Sequence, residues 1–544
     1  SYLNDQVLQQ TYLVGNNMPV AVYGIPIIVV ALINPLLRRF ALSGRELAVV
    51  LMLTLAACCI PGSGLLRTFT NSLMLPHHYV RTEPGWREKN IIDLSPKFML
   101  ADPSQDEDRA LNGFVQGLGE PQKHIRFWDV PWSAWTRTLW FWLPIILSLW
   151  GALIALSLVT HRQWSEHEHL PYPVAEFAAS LLPEVGSPRA AIFRNRLFWI
   201  GLGFVFFIHF NNFGCRWFPE YLIPIPVRFD LTAFSRLVPI LGLGGGTRLL
   251  APTMYFTVIG LSYFLASDVA LSCAVGPYLW AIVTGIFATY GLSLTGAVEG
   301  TGYPALRVQA FLNFGSNLGL FLAIVYLGRR YYLTVLQRAI GMRTSDSVPP
   351  ASVWGMRVFL GLGGLFCGLL VAAGLDWQLA AMYTCIIIIF FLMMSRIMAE
   401  TGMFYIQPFW FPCGVIWGLF GAQALGLHQL MILLTLSMIL VVDPRESIMP
   451  FISTSLKLLD MRQGKLGRAG AWCGVAVVLG MCIALPLTLY FQYDRGISQW
   501  DGWSKMVPRM QFENIALAKQ KLEVQGFLEE SAAINGWARF AALE

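Results

Sequence analysis

Long apolar runs, cut by short polar interruptions, repeat along most of the chain. A helix needs roughly 20 mostly apolar residues to cross a bilayer. Runs of that kind predict membrane-spanning helices over 18–37, 46–66, 137–160, 195–213, 250–270, 273–294, 308–328, 353–374, 377–398, 410–427, 428–442 and 470–492. The adjoining pair 410–427 and 428–442 is short and reads as broken helices. The expected fold is an all-α polytopic membrane protein with about 10–14 transmembrane helices, some broken or re-entrant.

Two segments break the apolar pattern. Residues 68–135 include "RTEPGWREKNIIDLSPKFMLADPSQDEDRALNGF", a mixed-charge stretch that predicts one extramembrane cap. Residues 493–544 include "MQFENIALAKQKLEVQGFLEE", which predicts a charged, water-exposed helical tail. The domain reading follows: first helices over 1–67, cap over 68–135, first-half core over 136–340, second-half core over 341–492, tail over 493–544.

Other interruptions fall inside the apolar regions. In "HRQWSEHEHLPYPVAEFAASLL" (161–182), Pro171 and Pro173 open a helix of about ten residues, roughly 15 Å, too short to cross. Val174, Phe177, Ala178 and Leu181 share one face, and Glu176 and Ser180 another. Both an amphipathic helix lying at the interface and a half-helix dipping inward fit this pattern. "WFPEYLIPIPVRFDLTAF" (217–234) carries Pro219, Pro224 and Pro226, which forbid a regular helix. The halves also echo each other. "EHLPYPVAEFAASLL" from Glu168 and "ESIMPFISTSLKLL" from Glu446 share a carboxylate, a Pro beside an aromatic, small residues and a Leu pair. Likewise, 377–402 follows the plan of 46–67. Weak internal symmetry of this kind marks many secondary transporters, so two pseudo-repeats are expected.

An ionisable side chain at bilayer depth costs several kcal/mol unless paired, hydrated or neutralised. Asp268, Glu299, Arg396, Glu400, Asp443 and Glu446 lie in or near the ends of apolar runs. Asp443 and Glu446 are expected to meet water at helix ends. Asp268 follows about two apolar turns and is the stronger coupling candidate. His209, close to Asn212 in "FFIHFNNFG", reads as an interhelical hydrogen-bonding group or a proton relay.

Composition sharpens this picture. The chain is 56% hydrophobic and only 13% charged, with mean hydropathy +0.56, too apolar to clothe a soluble domain of 544 residues. Its net charge of +6 needs no nucleic acid. Basic residues gather in four short loops: Arg38, Arg39 and Arg45; Arg162, Arg189, Arg194 and Arg196; Arg329, Arg330, Arg338 and Arg343; Lys457, Arg462, Lys465 and Arg468. The positive-inside rule places these loops in the cytoplasm and the cap and tail on the other side. The nine cysteines include no C-x-x-C pair, and His161, His167 and His169 read as a solvated interfacial segment, so no metal site is expected. Neither a Walker A motif nor an H-E-x-x-H motif is present, and no cofactor is expected. The chain begins at Ser1 rather than Met, consistent with a trimmed start, and shows no signal-peptide pattern.

"HLPYPVAEFAASLL" resembles the Pro-aromatic-Pro motif of the oligopeptide transporter superfamily, including its yellow stripe-like branch. "IPIPVRFDLTAFSRLVPILGLGGG", followed by "LAPTMYFTVIGLSYFLASDVALS", is similar to that branch's aromatic-Asp segment and the helix after it. The opening, with "SGRELAVVLMLTLAACCIPGSGL" and "VPWSAW", resembles an uncharacterised bacterial family distantly related to those transporters. The resemblance implies a proton- or ion-coupled carrier of small peptides or metal–chelate complexes, with a duplicated helical fold. It puts Tyr172, Pro173, Glu176, Phe229 and Asp230 near the substrate path. Val174-Ala175-Glu176 departs from the Ser-Gly-Thr type of sequence usual there, which leaves the substrate open.

The functional expectation is thus a secondary active transporter, not an enzyme, in a bacterial inner membrane. Its expected partners are the lipid bilayer, a small-molecule or peptide substrate and protons or another coupling ion; a homodimer is compatible with the sequence. Two alternatives stand beside it. One is a membrane enzyme acting on a lipid-linked substrate, with Asp102, Asp106, Glu107 and Asp108 in its cap. The other is a non-transporting subunit that docks through the tail.

Overall fold

The computed structural model describes residues 3–8, 12–37, 40–61, 64–104, 108–120, 123–184, 190–344, 347–497 and 501–542. Arg38, Arg39, Asp106, Glu107 and Arg189 lie outside them.

Fifteen helices carry the architecture described below. They are α1 (Val20–Leu37), α2 (Gly44–Ala57), α3 (Phe69–Thr82), α4 (Ser133–Arg162), α5 (Pro173–Ser180), α6 (Arg196–Gly214), α7 (Ser267–Thr289) and α8 (Val308–Leu327). Then come α9 (Arg329–Ala339), α10 (Pro350–Ala372), α11 (Trp377–Thr401), α12 (Pro412–Leu440), α13 (Ile448–Met461), α14 (Leu466–Arg495) and α15 (Gly502–Gln525). Among the described residues, nine helical stretches have the length and apolar composition to cross a membrane: α1, α4, α6, α7, α8, α10, α11, α12 and α14, of which α12 folds back on itself as described below. Among the described residues the strands are one short antiparallel pair, Ala297–Glu299 with Leu306–Arg307. The chain is an all-α polytopic membrane protein.

In lipid the apolar side chains of two helices gain little by leaving the solvent, so close packing and interhelical hydrogen bonds hold the bundle. At its centre lies α13, with eleven of its fourteen residues buried. It packs against α2, α4 and α11. The Ser395 hydroxyl donates to Ser453 Oγ at 2.8 Å, pinning α11 to α13. Ser455 turns its hydroxyl back onto the Phe451 carbonyl at 2.7 Å, so its own donor is satisfied within the helix. By contrast, Leu197, Phe204, Phe206 and Phe207 of α6 are exposed apolar side chains, as on a lipid-facing helix.

Two of the expected spans take another form, and the adjoining pair read as broken is broken. The 46–66 run breaks after Ala57, and the chain resumes as a helix only at Phe69. The 250–270 run forms only a short helix, Phe256–Ser262. In α12, Gly421 (φ 73°, ψ 165°) and Gly426 (φ 71°, ψ 153°) interrupt the helix, at the join expected between 410–427 and 428–442. Glycine enters this φ > 0 region without the Cβ clash other residues suffer. The result is a hairpin: the Cys413 N–H donates to Ser437 Oγ at 3.2 Å. In a straight helix those residues would lie roughly 36 Å apart. Buried Arg539 donates to the Ala424 carbonyl at 2.8 Å and to Leu425 O, and its Nε donates to Asp376 at 2.6 Å, tying the hairpin tip to the tail.

Two elements are more deeply packed than the sequence predicts. Helix α3 falls inside the 68–135 segment, yet Phe69 to Pro76 are all buried. Tail helix α15 runs along α3 rather than standing free: Tyr79 donates to the Lys505 carbonyl at 2.7 Å, Arg509 pairs with Glu83 at 2.9 Å, and Trp86 and Phe512 meet at 5.4 Å. Val507, Met510, Ile515, Ala518 and Leu522 make one apolar face of α15, and all are buried. Lys505, Arg509, Lys519 and Glu523 of the same helix lie away from that face.

Candidate functional site

Two chain breaks meet in the core. The first, 58–68, separates α2 from α3; the second, 441–447, separates α12 from α13. The Gly64 N–H donates to Glu446 Oε2 at 3.0 Å, and Glu446 is wholly buried. Arg67 lies 3.8 Å from Asp443 and 3.0 Å from Asp501. Arg445 grips Asp443 through two nitrogens and donates to the Tyr405 hydroxyl at 3.1 Å. Three carboxylates thus face two guanidinium groups around these breaks. Asp443 was expected to meet water at a helix end and Glu446 likewise; their exposures are 7% and 0%. The breaks fold back against other chain segments, so both acids are enclosed by protein.

A cleft of about 370 Å³ opens on this cluster, lined by Tyr12, Arg67, Tyr303, Tyr405, Gln407, Asp443, Arg445 and Trp503. The guanidinium of Arg67 lies 5.3 Å from the Tyr12 ring centroid and that of Arg445 5.2 Å from the Tyr405 ring centroid. Behind it, Cys59, Gly64, Trp150, Phe391 and Glu446 line a cavity of about 10 Å³, room for roughly one water. Trp150 lies near the middle of the 30-residue α4, which puts the breaks near mid-depth of the bundle. Both signs of charge and several aromatic faces therefore border one small hollow.

A second cluster forms where α4, α5, α11 and α13 meet. Arg396 of α11, 9% exposed at its side chain, pairs with Glu168 and with Glu400 at 3.0 Å. Its guanidinium lies over the Trp164 ring at 5.5 Å, and Gln163 donates to the other Glu168 oxygen at 3.0 Å. Tyr172, 1% exposed, enters α5 in the left-handed conformation (φ 45°, ψ 59°). Its N–H donates to the Ala399 carbonyl at 2.9 Å. Pro173 then starts the helix, where its missing N–H costs nothing. At the other end Arg462 donates to the Ala179 carbonyl at 2.9 Å. Lys457 lies 5.6 Å from the Tyr172 ring centroid and donates to Ser165 at 2.7 Å. Of the two readings left open for α5, this burial matches a helix set into the protein body. On the basic-loop side, Arg162, Gln163, His167, Glu168, Arg330 and Tyr331 border a separate cleft of about 510 Å³.

The candidate residues divide accordingly. Tyr172, Pro173, Arg396 and Glu400 come together, while Glu446 joins the cleft at the breaks. The others lie apart. Glu176 is the exposed residue of α5. His209 is exposed, edge-on to Phe256 at 5.6 Å. Asn212 exchanges two hydrogen bonds with the Ile225 backbone, at 2.9 and 2.7 Å. Phe229 donates its N–H to the Pro252 carbonyl at 3.0 Å, and Asp230 caps a turn by accepting from the Thr232 N–H at 2.9 Å. Asp268 is exposed in the first turn of α7, a place that favours a carboxylate electrostatically. Glu299 pairs with Lys521 of the tail at 3.0 Å. Reasoning from the sequence overlooked Glu168 as a site residue, and Arg67, Tyr405, Arg445, Lys457 and Asp501. An arginine inside "GLLRTFTNSLML" was a usable signal for Arg67.

Among the described residues no group of three or more His, Cys, Asp or Glu side chains is arranged to hold a metal ion. No curated protein and no solved structure matches the chain. A match does extend over residues 1–538, nearly the whole sequence, and the chain belongs to the family of unknown function DUF6785.

Proposed function

We propose that this protein is a secondary active transporter of small polar solutes, coupled to protons or another ion. The observation that carries the reading is the meeting of two helix breaks at a charged cleft near mid-depth. Irregular backbone at membrane depth survives only where protein covers it or water fills a cavity. Carriers use such breaks to present backbone dipoles and charged side chains to a solute at the midplane. Arg67 and Arg445 would meet anionic groups, Asp443 and Asp501 cationic ones, and the tyrosines and Trp503 the body of the solute. Solutes bearing both charges fit this lining, in keeping with the resemblance to carriers of oligopeptides and metal chelates. Glu446, wholly buried and hydrogen-bonded to the Gly64 N–H where the two breaks meet, is the group we assign to the coupling proton. Transport would run across a bacterial inner membrane.

Purified protein in vesicles, given an inward proton gradient, tests this with labelled di- and tripeptides and metal–chelate complexes. The expected result is gradient-dependent accumulation of at least one class. Glu446→Gln should reduce accumulation to the level seen without a gradient while leaving solute exchange in place. Absence of uptake of every class by the wild-type protein, under either sign of gradient, counts against the carrier.

A further inference from the structure

Five arginines, Arg329, Arg330, Arg338, Arg343 and Arg357, crowd the segment between the end of α8 and the first turns of α10. Between 329 and 375 the sequence offers one carboxylate, Asp346, which lies outside the described residues. The arginines' hydrogen bonds go to neutral oxygens. Arg329 donates to the Tyr326 carbonyl at 2.8 Å, half-buried Arg338 to the Thr344 hydroxyl at 2.7 Å, and Arg357 to the Ala339 carbonyl at 2.9 Å. Among the described residues none of the five is paired with a carboxylate. A cleft of about 510 Å³ opens between α9 and α10, lined by Arg338, Met342, Arg343, Thr344, Val353 and Trp354. Its rim is apolar and exposed: Ile340, Met342 and Trp354 are 63%, 54% and 62% exposed. Because α9 joins two membrane-spanning helices, the cleft sits where the bilayer surface must lie.

Guanidinium groups with no carboxylate partner among the described residues, beside a hollow with an apolar rim, match a phosphate ester better than bulk water. Guanidinium binds phosphate through paired N–H donors, and basic pockets between helices at the bilayer surface hold anionic headgroups. We propose that the α9–α10 cleft binds a phosphate ester, carried by an anionic phospholipid or by a soluble glycerol phosphate. The exposed Trp354 and Met342 favour the lipid, whose acyl chains would lie across them. Native mass spectrometry of the full-length protein in detergent, titrated with phosphatidylglycerol, phosphatidylcholine or glycerol 1-phosphate, tests it. Phosphatidylglycerol should bind saturably and phosphatidylcholine should not. Arg343→Gln, at an exposed side chain, should weaken binding about fivefold, and Arg338→Gln/Arg343→Gln further, from the worth of one basic side chain at an anionic surface. Arg87→Gln, an exposed arginine in the cap, should leave it unchanged. Displacement of phosphatidylglycerol by glycerol 1-phosphate assigns the site to the phosphate ester alone; resistance to displacement assigns it to the lipid. Wild-type affinity in the double variant, or equal binding of phosphatidylcholine, overturns the proposal.

Discussion

Arg396 holds two carboxylates from different parts of the chain, Glu168 and Glu400. The Glu168 contact is the stronger constraint, because the Arg396 side chain is buried and that of Glu168 only 15% exposed, while Glu400 is 45% exposed and screened. Arg396→Gln would leave Glu168 uncompensated, and losing one partner of a buried pair costs about 3–5 kcal/mol. Thermal unfolding in detergent should show that loss, and Glu168→Gln in the same background should recover part of it. Strictly additive losses would mean that the two side chains are not coupled. Asp501 offers a pH test. Burial raises its carboxyl, but the Arg67 side-chain bond and the Ser504 N–H bond outweigh this, so its pKa lies below the ordinary value. A depressed carboxylate stabilises the fold above its unfolded pKa of about 3.9 and loses that contribution as pH falls through the folded value. The melting difference between wild type and Asp501→Asn should therefore be full at pH 7 and shrink below about pH 4. An unchanged gap at low pH would argue against an ionised Asp501 in the fold. Arg396 and Glu400 were legible because charge inside an apolar run stands out. Glu168, 228 positions from Arg396, was not legible as its partner, since no local pattern encodes that pairing. The same criterion misplaced Asp268, because a hydropathy window cannot show that a helix begins there.

Helix α5 depends on how closely the end of α11 approaches it. Gly402 adopts φ +64°, and a Cβ there would come within 2.9 Å of Pro173 Cβ. Gly402→Ala combines left-handed strain of roughly 1–2 kcal/mol with a clash against a rigid ring. It should lower the melting temperature and expose the 168–182 segment to protease. Gly361→Ala, within α10 and with nothing near its Cβ, should do neither. Equal protease resistance in both variants would show that α5 does not rest on this contact. At this scale much was readable. Pro171 and Pro173 announced a short helix, and the weak 410–442 run announced a broken one. Helix α3 was not readable, because its His77, His78 and Arg81 look aqueous in sequence. Its burial comes largely from α15, more than 400 residues later, with Trp142 of α4 and the Ala101 backbone closing over Phe69 and Leu73.

At the scale of the molecule, two clefts lie on different sides of one short stretch of chain. Tyr405, Gln407 and Phe409 line the cleft at the helix breaks. A few residues earlier, Arg396 reaches Glu168, which borders the cleft on the basic-loop side. Between them, α5 is fastened by Tyr172 to α11 and by Arg462 to α13. On the carrier reading proposed above, such clefts open in turn, and these fastenings would act as the closed gate of the basic side. Cysteine accessibility separates this arrangement from two unrelated hollows. The exposed native cysteines Cys273, Cys385 and Cys482 are first replaced by serine. In that background a membrane-impermeant maleimide should label Gln407→Cys from the cap side and Thr334→Cys from the basic side. Adding Glu168→Gln and Arg396→Gln removes the ion pair without leaving a buried lone charge, which spares the fold the larger penalty. Gln407→Cys should then become reactive from the basic side as well, at the expense of labelling from the cap side. A pair variant that folds and keeps the wild-type sidedness would mean that the Glu168–Arg396 contact holds structure but gates nothing.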